Sequence, residues 1–160
     1  MKLSNVGQTS KSYLYRHRVR RHELNQEPGV KVSFRLFFAD KKKCYVRVYQ
    51  DRKALEKSIA FGEIEACFIS NNQPSDPQAI GLICLHLDDL SPSTVVHEIV
   101  HACVEWMRKN GTTATEFYRR SGDEDSPYEV FAHETGEMVQ QFWECLEAFL
   151  SKGGRSACRQ

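Results

Sequence analysis

Residues 91–111, SPSTVVHEIVHACVEWMRKNG, hold the pattern on which the interpretation of the chain depends. Ser91-Pro92 supplies a helix N-cap and a first-turn proline, and Gly111 supplies a C-terminal stop. The stretch therefore predicts one helix from about Pro92 to Asn110. Apolar residues fill most of its other positions, which indicates that the helix packs against a core.

Two histidines and a glutamate interrupt this apolar helix at His97-Glu98-Ile99-Val100-His101. Histidines four positions apart share one helix face, so both imidazoles can bind one ion. Glu98 lies beside that face, where it can take a proton from water on a metal. The sequence predicts a zinc site of the H-E-x-x-H type, with Glu98 as general base. The alternative interpretation is a polar patch in which the two histidines are only hydrogen-bonded.

A zinc site needs at least one further protein ligand. Glu105 lies about 12 Å from His97 along the helix axis, so one ion cannot easily bind both. Ser126-Pro127 opens a second helix that extends to about Ser151, and Glu129 on that helix is the predicted third ligand. The alternatives to Glu129 are His133, Glu134 and Glu124.

Glu129 also has a purely structural interpretation, because Ser126-Pro127-Tyr128-Glu129 matches an S-x-x-E capping box. His133 shares its helix face and is a predicted catalytic residue that could donate a proton in the transition state. Tyr128 and Tyr118 are the other candidates for stabilising the transition state. Gly136 continues the face and predicts a close approach of the two helices. His86, Asp88 and Asp89 are further residues that could line the cleft.

Short apolar segments before the first helix predict a small sheet. One segment alternates apolar and polar residues and is followed, after a lysine-rich loop, by a second segment, which together predict a hairpin. Strands first and helices last favour an α+β fold, with helices packed on one sheet. The predicted segments are strands at 30–38, 43–49, 66–70 and 80–87, a short helix at 52–61 and a polar loop at 112–125.

The composition predicts one domain over residues 1–160, with 41% hydrophobic and 27% charged residues. A net charge of +1 provides no global field for nucleic acid or membranes. The six cysteines include no C-x-x-C pair, which favours a reducing compartment. No signal peptide or membrane span is evident, so we expect a cytoplasmic protein. The basic N-terminal segment 1–25 is interpreted as solvated, or alternatively as an arm for nucleic acid.

At His97–His101 and Glu129 the chain resembles the zincin metallopeptidases. The order, HEIVH followed by a later glutamate, is that of the gluzincins. Glu129-Val130-Phe131-Ala132-His133 is similar to the E-x-x-A-N/H segment of the ImmA/IrrE group. Val104 stands where metzincins place a glycine, which excludes that class. The helix pair also resembles that of small metallopeptidase-like proteins of phages and prophages. That resemblance covers residues 91–143 through Val95-Val96-His97-Glu98, His101-Ala102, Trp106, Glu129, Ala132, Gly136 and Trp143.

The resemblance implies a zincin-like fold in which an antiparallel edge strand lies beside the cleft, and segment 80–87 is the candidate strand. It also implies a zinc-dependent peptidase that acts on a protein or peptide. Two imidazoles and a carboxylate suit zinc, with iron, cobalt or manganese as substitutes. The alternatives are a zincin-fold binding or inhibitor protein without catalysis, and a nucleic-acid-associated protein. The intact Glu98 favours catalysis, because a structural zinc site does not need a general base.

Overall fold

A computed structural model describes residues 27–59, 63–71, 76–117 and 126–151 of the chain. In this part the strands precede the two long helices, as the hydrophobic patterns predict. None of its helices is long and apolar enough to cross a membrane. The elements are β1 (Val30–Phe37), β2 (Lys43–Tyr49), α1 (Arg52–Ile59), β3 (Cys67–Ser70), β4 (Ala79–His86), α2 (Pro92–Lys109), α3 (Ala114–Phe117) and α4 (Pro127–Ser151).

The strands form one mixed sheet in the order β1-β2-β4-β3. β1 pairs antiparallel with β2, which confirms the predicted hairpin. β2 pairs parallel with β4, and β3 pairs antiparallel with β4. After β2, the chain therefore forms α1 and the edge strand β3. It then forms β4, which lies between β2 and β3 in the sheet. This mixed sheet with long helices after it confirms the predicted α+β class.

β4 is an interior strand, so the prediction that segment 80–87 forms the sheet edge is wrong. β4 lies between β2 and β3, and seven of its eight residues are buried. Strands covered on both faces read as unbroken apolar runs, which is the pattern of this segment. The edge position belongs to β3, whose four residues are only partly buried.

Helices cover both faces of the sheet. α2 and α4 pack on one face, around a core that includes Phe34, Leu36, Ile99 and Phe142. α1 packs on the other face, where Tyr49, Leu55, Ile59 and Cys84 form a second, smaller core. The predicted packing of the sheet against two long helices is confirmed for α2 and α4, and α1 adds a layer on the opposite face.

α2 begins and ends where its capping residues predict. Ser91 Oγ accepts a hydrogen bond from Thr94 N at 3.2 Å, which satisfies a free amide of the first turn. Gly111 follows the helix with a φ of 85°, a conformation that glycine adopts without strain. The helix boundaries therefore follow from local sequence alone.

Within the segment 112–125, predicted to be mostly polar loop, the described residues include a short helix, α3, that was not predicted. Thr113 Oγ1 accepts a hydrogen bond from Glu116 N at 3.2 Å, and Glu116 Oε2 accepts one from Thr113 N at 2.8 Å. These two bonds form a capping box. Thr113-Ala114-Thr115-Glu116 is the sequence signal that the prediction overlooked.

Gly136 does not mark a close approach of two helices, contrary to the prediction. A Cβ at this exposed position would meet no atom within 4 Å. Gly81 of β4 is the glycine that close packing requires. A Cβ there would come closer than 3.0 Å to the ring of Phe68 and to the carbonyl oxygen of Ile69, both in β3.

We expect Gly81→Ala to lower the free energy of unfolding by about 1–3 kcal/mol, because β3 must shift to admit the methyl group. The matched variant Gly136→Ala should raise it by about 1 kcal/mol, since alanine favours the helix and meets open space. Urea denaturation followed by circular dichroism measures both changes. A Gly81→Ala protein as stable as the wild type would contradict the close packing of β3 on β4.

Candidate metal centre

His97 and His101 lie on the exposed face of α2, and their imidazoles converge. The two Nε2 atoms are 3.1 Å apart, and the ring planes stand at 80° to each other. Two nitrogens bound tetrahedrally to one zinc ion at its usual bond length lie about 3.3 Å apart. The two donors therefore fit a common ion. The opposite face of α2 fixes this orientation by packing on the sheet through Val95, Ile99, Ala102 and Trp106.

Glu98 is the buried member of the motif, with 5% of its surface exposed. Its carboxylate accepts no hydrogen bond from the residues that the structure describes. Burial raises the pKa of Glu98, and the positive charges that His101 and His97 can carry oppose that rise. A carboxylate with a raised pKa and free lone pairs is suited to accept a proton.

Glu98 lies on the side of α2 that faces the edge strand β3. On the same side, Glu105 Oε1 accepts a hydrogen bond from Ser70 Oγ at the end of β3, at 2.6 Å. α2 and β3 both run antiparallel to β4, so they run in the same direction. Glu98 is about 10 Å back along α2 from Glu105, which is the rise of about three strand residues. That distance places Glu98 level with Cys67, the first residue of β3.

α4 runs antiparallel to α2. Along α4, Glu134 Oε2 accepts a hydrogen bond from Ala39 N, Gln141 bonds with the backbone of Phe37, and Phe142 packs on Phe34. As residue numbers rise along α4, the residue numbers of its partners in and just after β1 fall, so α4 runs antiparallel to β1. α2 runs parallel to β1, because both are antiparallel to β4. The two helices meet where the Thr135 side chain lies beside the Cys103 thiol.

Glu129 is not brought to the two histidines. It precedes Thr135 by about 9 Å along α4, whereas His101 precedes Cys103 by about 3 Å along α2. Because the helices are antiparallel, these displacements add to about 12 Å, and Glu129 lies level with the C-terminal end of α2. Within the described ranges, no group of three histidine, cysteine, aspartate or glutamate side chains is positioned to hold a metal ion.

At the start of α4, one of the two hydrogen bonds of the predicted capping box is present. Ser126 Oγ accepts a hydrogen bond from Glu129 N at 3.3 Å, and Ser126 is itself buried. The reciprocal bond from Ser126 N to the Glu129 carboxylate is absent among the described contacts. The carboxylate is exposed, so the cap does not occupy it.

The other candidates on α4 lie apart from the histidine pair. His133 is exposed, and its charge acts on the neighbouring Glu134 carboxylate. Glu134 is buried and anchors the β1–β2 turn by accepting a hydrogen bond from Ala39 N at 3.2 Å. Tyr128 is 57% exposed at the first turn of α4. Tyr118 and Glu124 fall outside the described residues.

His86, Asp88 and Asp89 do not join the site either. His86 pairs in register with Tyr49, a member of the core under α1, so its imidazole lies on the sheet face opposite α2. It is 3% exposed, and its ring nitrogens have no hydrogen-bond partner in the described structure. Asp89 accepts a hydrogen bond from Thr94 Oγ1 at the start of α2, and Asp88 accepts one from Arg52 N. The prediction that these residues could line the cleft is therefore wrong for His86.

Two exposed valines flank the histidines and were overlooked in the sequence. Val96 is 36% exposed and Val104 is 51% exposed, although the apolar composition of the helix suggested that both were buried. Their helical positions supply the missing signal. Val104 follows His97 by seven positions and therefore shares its face. The candidate site thus combines two exposed imidazoles with apolar neighbours.

No protein-family model, curated protein or solved structure matches the chain. The candidate site therefore rests on its geometry and on the spacing of the motif.

The raised pKa of Glu98 predicts a pH-dependent effect of Glu98→Gln on metal-free protein. The folded state disfavours the charged form, so the unfavourable contribution is present above the raised pKa and vanishes as pH falls below it. We expect Glu98→Gln to be more stable than the wild type at about pH 8 and nearly equal in stability at about pH 4. Urea denaturation in the presence of a chelator, repeated across that pH range, measures the difference.

Glu56→Gln is the matched control, because Glu56 pairs with Arg52 at 2.8 Å on α1, away from the site. Its effect should stay within about 0.5 kcal/mol at every pH. If Glu98→Gln were less stable than the wild type throughout, the Glu98 carboxylate would have to be compensated in the folded protein.

Proposed function

We propose that this protein is a zinc-dependent metallopeptidase in which His97 and His101 bind the ion and Glu98 is the general base. The observation that carries the proposal is the 3.1 Å separation of the two imidazole Nε2 atoms, next to a buried glutamate with a raised pKa. A hydrogen bond between the two imidazoles would also bring their nitrogens to 3.1 Å, so the adjacent buried carboxylate without a described hydrogen-bond donor is the feature that favours a metal ion. That combination is the one that H-E-x-x-H chemistry requires.

Zinc is the metal that suits these donors best, since imidazole nitrogen is among its preferred ligands. When bound, zinc would polarise a carbonyl group and make water acidic enough to lose a proton near neutral pH. Both imidazoles must be neutral to bind the ion, so metal affinity should fall with acidification. The resemblance implies Glu129 as the third ligand, but Glu129 lies level with the C-terminal end of α2, so the proposal rests on His97, His101 and Glu98.

Glu98 would act twice in the reaction. Its carboxylate would accept a proton from the attacking water and later pass that proton to the nitrogen of the leaving amine. Burial supports this role, because a carboxylate with a raised pKa holds a proton more readily than one in bulk water. The side chain keeps this freedom because no described donor occupies its oxygens.

We propose that the substrate is a peptide segment that adds to the outer side of β3. β3 is the last strand in the sheet order, and its first residue lies level with Glu98. An extended peptide can pair with such an edge through backbone hydrogen bonds. The exposed side chains of Val96 and Val104 favour apolar side chains near the scissile bond. The candidate edge strand is therefore β3 rather than β4.

A zincin-fold binding or inhibitor protein is the competing function. Such a protein would use the metal for stability and would not need Glu98. The nucleic-acid alternative depends on segment 1–25, which lies outside the described residues. No described contact favours either alternative over hydrolysis.

Zinc content and peptidase activity should separate the roles of the three motif residues. We expect about one zinc ion per wild-type chain. His97→Ala and His101→Ala should each lose the ion, because the one imidazole that remains is not enough to hold it. Glu98→Gln should keep its zinc and lose activity by about 10²–10⁴-fold, because only the proton acceptor is removed. Elemental mass spectrometry and hydrolysis of a fluorogenic apolar peptide library measure the two properties.

Glu56→Gln controls for the change of a surface glutamate and should keep both properties. Wild-type zinc without hydrolysis of any peptide in the library would favour the binding-protein alternative. Activity that survives Glu98→Gln would overturn the assignment of the base.

The third ligand can be assigned by zinc affinity. If Glu129 binds the ion, Glu129→Gln should weaken zinc binding by at least about tenfold, whereas His133→Ala should leave it unchanged. Competition with a fluorescent zinc chelator measures both affinities. Unchanged affinity in Glu129→Gln would mean that another residue completes the site, and weaker binding in His133→Ala would assign the ligand to His133.

A further inference from the structure

Two cysteines face each other across the edge of the sheet. Cys67, the first residue of β3, is directly opposite Cys84 of β4 in the antiparallel register. Both side chains belong to the core under α1, on the sheet face opposite the histidines. Both residues are free thiols. Cys84 is fully buried, whereas Cys67 is partly exposed on the edge strand.

The backbone positions of this pair suit a covalent bond. Asn71 N donates to Ile80 O at 2.9 Å, so residues 71 and 80 form a hydrogen-bonded pair of the ladder. Counting two residues at a time places Cys67 and Cys84 in the same class of pair, where Cα atoms are about 5.5 Å apart. Disulfides span Cα separations of about 4.4–6.8 Å. The Cα separation expected for such a pair therefore lies within the range that a disulfide spans.

The two thiols are neighbours. The Cys67 thiol, followed by burial, holds the pKa of the Cys84 thiol well above its ordinary range. Cys84 therefore stays protonated while Cys67 is unmodified. Cys67 is the more accessible thiol, so a small oxidant meets it first.

We propose that Cys67 and Cys84 form a redox-sensitive dithiol that a low-molecular-weight disulfide, such as oxidised glutathione, converts into an intrachain disulfide. The Cys67 thiolate attacks one sulfur of glutathione disulfide, which forms a mixed disulfide and releases one glutathione thiolate. The Cys84 thiolate then attacks the Cys67 sulfur and releases the second glutathione. The protein loses two electrons and two protons, and two glutathione molecules leave in reduced form.

The remaining described cysteines lack this arrangement. The Cys44 thiol is fully buried and hydrogen-bonds with the Gly81 carbonyl oxygen at 3.5 Å. Cys103 is fully buried, and the Thr135 side chain lies beside its thiol. Cys145 is partly exposed and lies on α4. Cys67 and Cys84, in contrast, face each other across two neighbouring strands.

The disulfide would fasten the start of β3 to the interior strand. β3 has only four residues and is paired on one side within the described sheet. The link would close the segment between positions 67 and 84, which restricts the unfolded chain. The oxidised protein should therefore have a higher Tm than the reduced protein, by several degrees.

Peptide mapping tests the proposal on the full chain. The reduced protein is incubated with oxidised glutathione and a metal chelator, its remaining thiols are alkylated, and it is digested with trypsin and Asp-N. Trypsin leaves residues 58–108 in one piece, and cleavage before Asp76 and Asp88 separates peptides 58–75 and 76–87. We expect these two peptides to be linked, with a mass two hydrogens below their sum.

Cys67→Ser and Cys84→Ser should abolish both the link and the rise in Tm, and Cys145→Ser should keep both. Cys84→Ser should instead accumulate glutathione on Cys67. Links that involve other cysteines, or stable glutathione on Cys67 of the folded wild type, would overturn the proposal. The wild-type map decides the question even if a variant fails to fold. The chelator keeps zinc away from the thiols, so the result does not depend on the proposed peptidase activity.

Discussion

The rotation of α2 about its own axis is the constraint on which the candidate site depends. Successive helix residues are about 100° apart, so a modest rotation would bury an imidazole or expose Glu98. Contacts on both sides of the helix hold this orientation. Trp106 Nε1 donates to Asp40 at 3.1 Å on one side, and Glu105 accepts from Ser70 at 2.6 Å on the other. The apolar stripe between them faces the sheet, which leaves the two histidines outside and places Glu98 at the boundary with β3.

Burial of the Glu98 carboxylate lowers the stability of the metal-free folded protein, and the same burial suits the carboxylate to accept a proton. Burying a carboxylate without described hydrogen-bond donors disfavours its charged form, and the charges that His101 and His97 can carry offset this only in part. A divalent cation between His97 and His101 would supply the remaining compensation, because it would be the largest charge in the neighbourhood. An arrangement that is unfavourable without a metal and favourable with one is expected at a functional site rather than in a polar patch.

Local patterns in the sequence predicted the elements and the motif, whereas the relative placement of elements required tertiary contacts. Ser91 and Gly111 define α2 because capping depends on neighbouring residues only. The apolar run of β4 predicts a strand, but an interior strand and an edge strand differ in their neighbours along the sheet. The alignment of α4 on α2 depends on contacts such as that of Glu134 with Ala39, 95 positions apart. Spacing along the chain therefore could not determine how far Glu129 lies from the histidines.

Several residues that are far apart in function share one role, which is to hold the edge strand β3 in position. A strand that is to accept a peptide must leave its outer backbone groups open, so it cannot be stabilised from that side. β3 must then be held from its inner side and its two faces. Gly81 of β4 has no side chain, which leaves room for the Phe68 ring of β3, and Cys67 lies opposite Cys84 with its side chain on the other face. Ser70 ties the far end of the strand to α2. The short strand is thus fixed in position from its inner side, and its outer edge has no partner strand among the described residues.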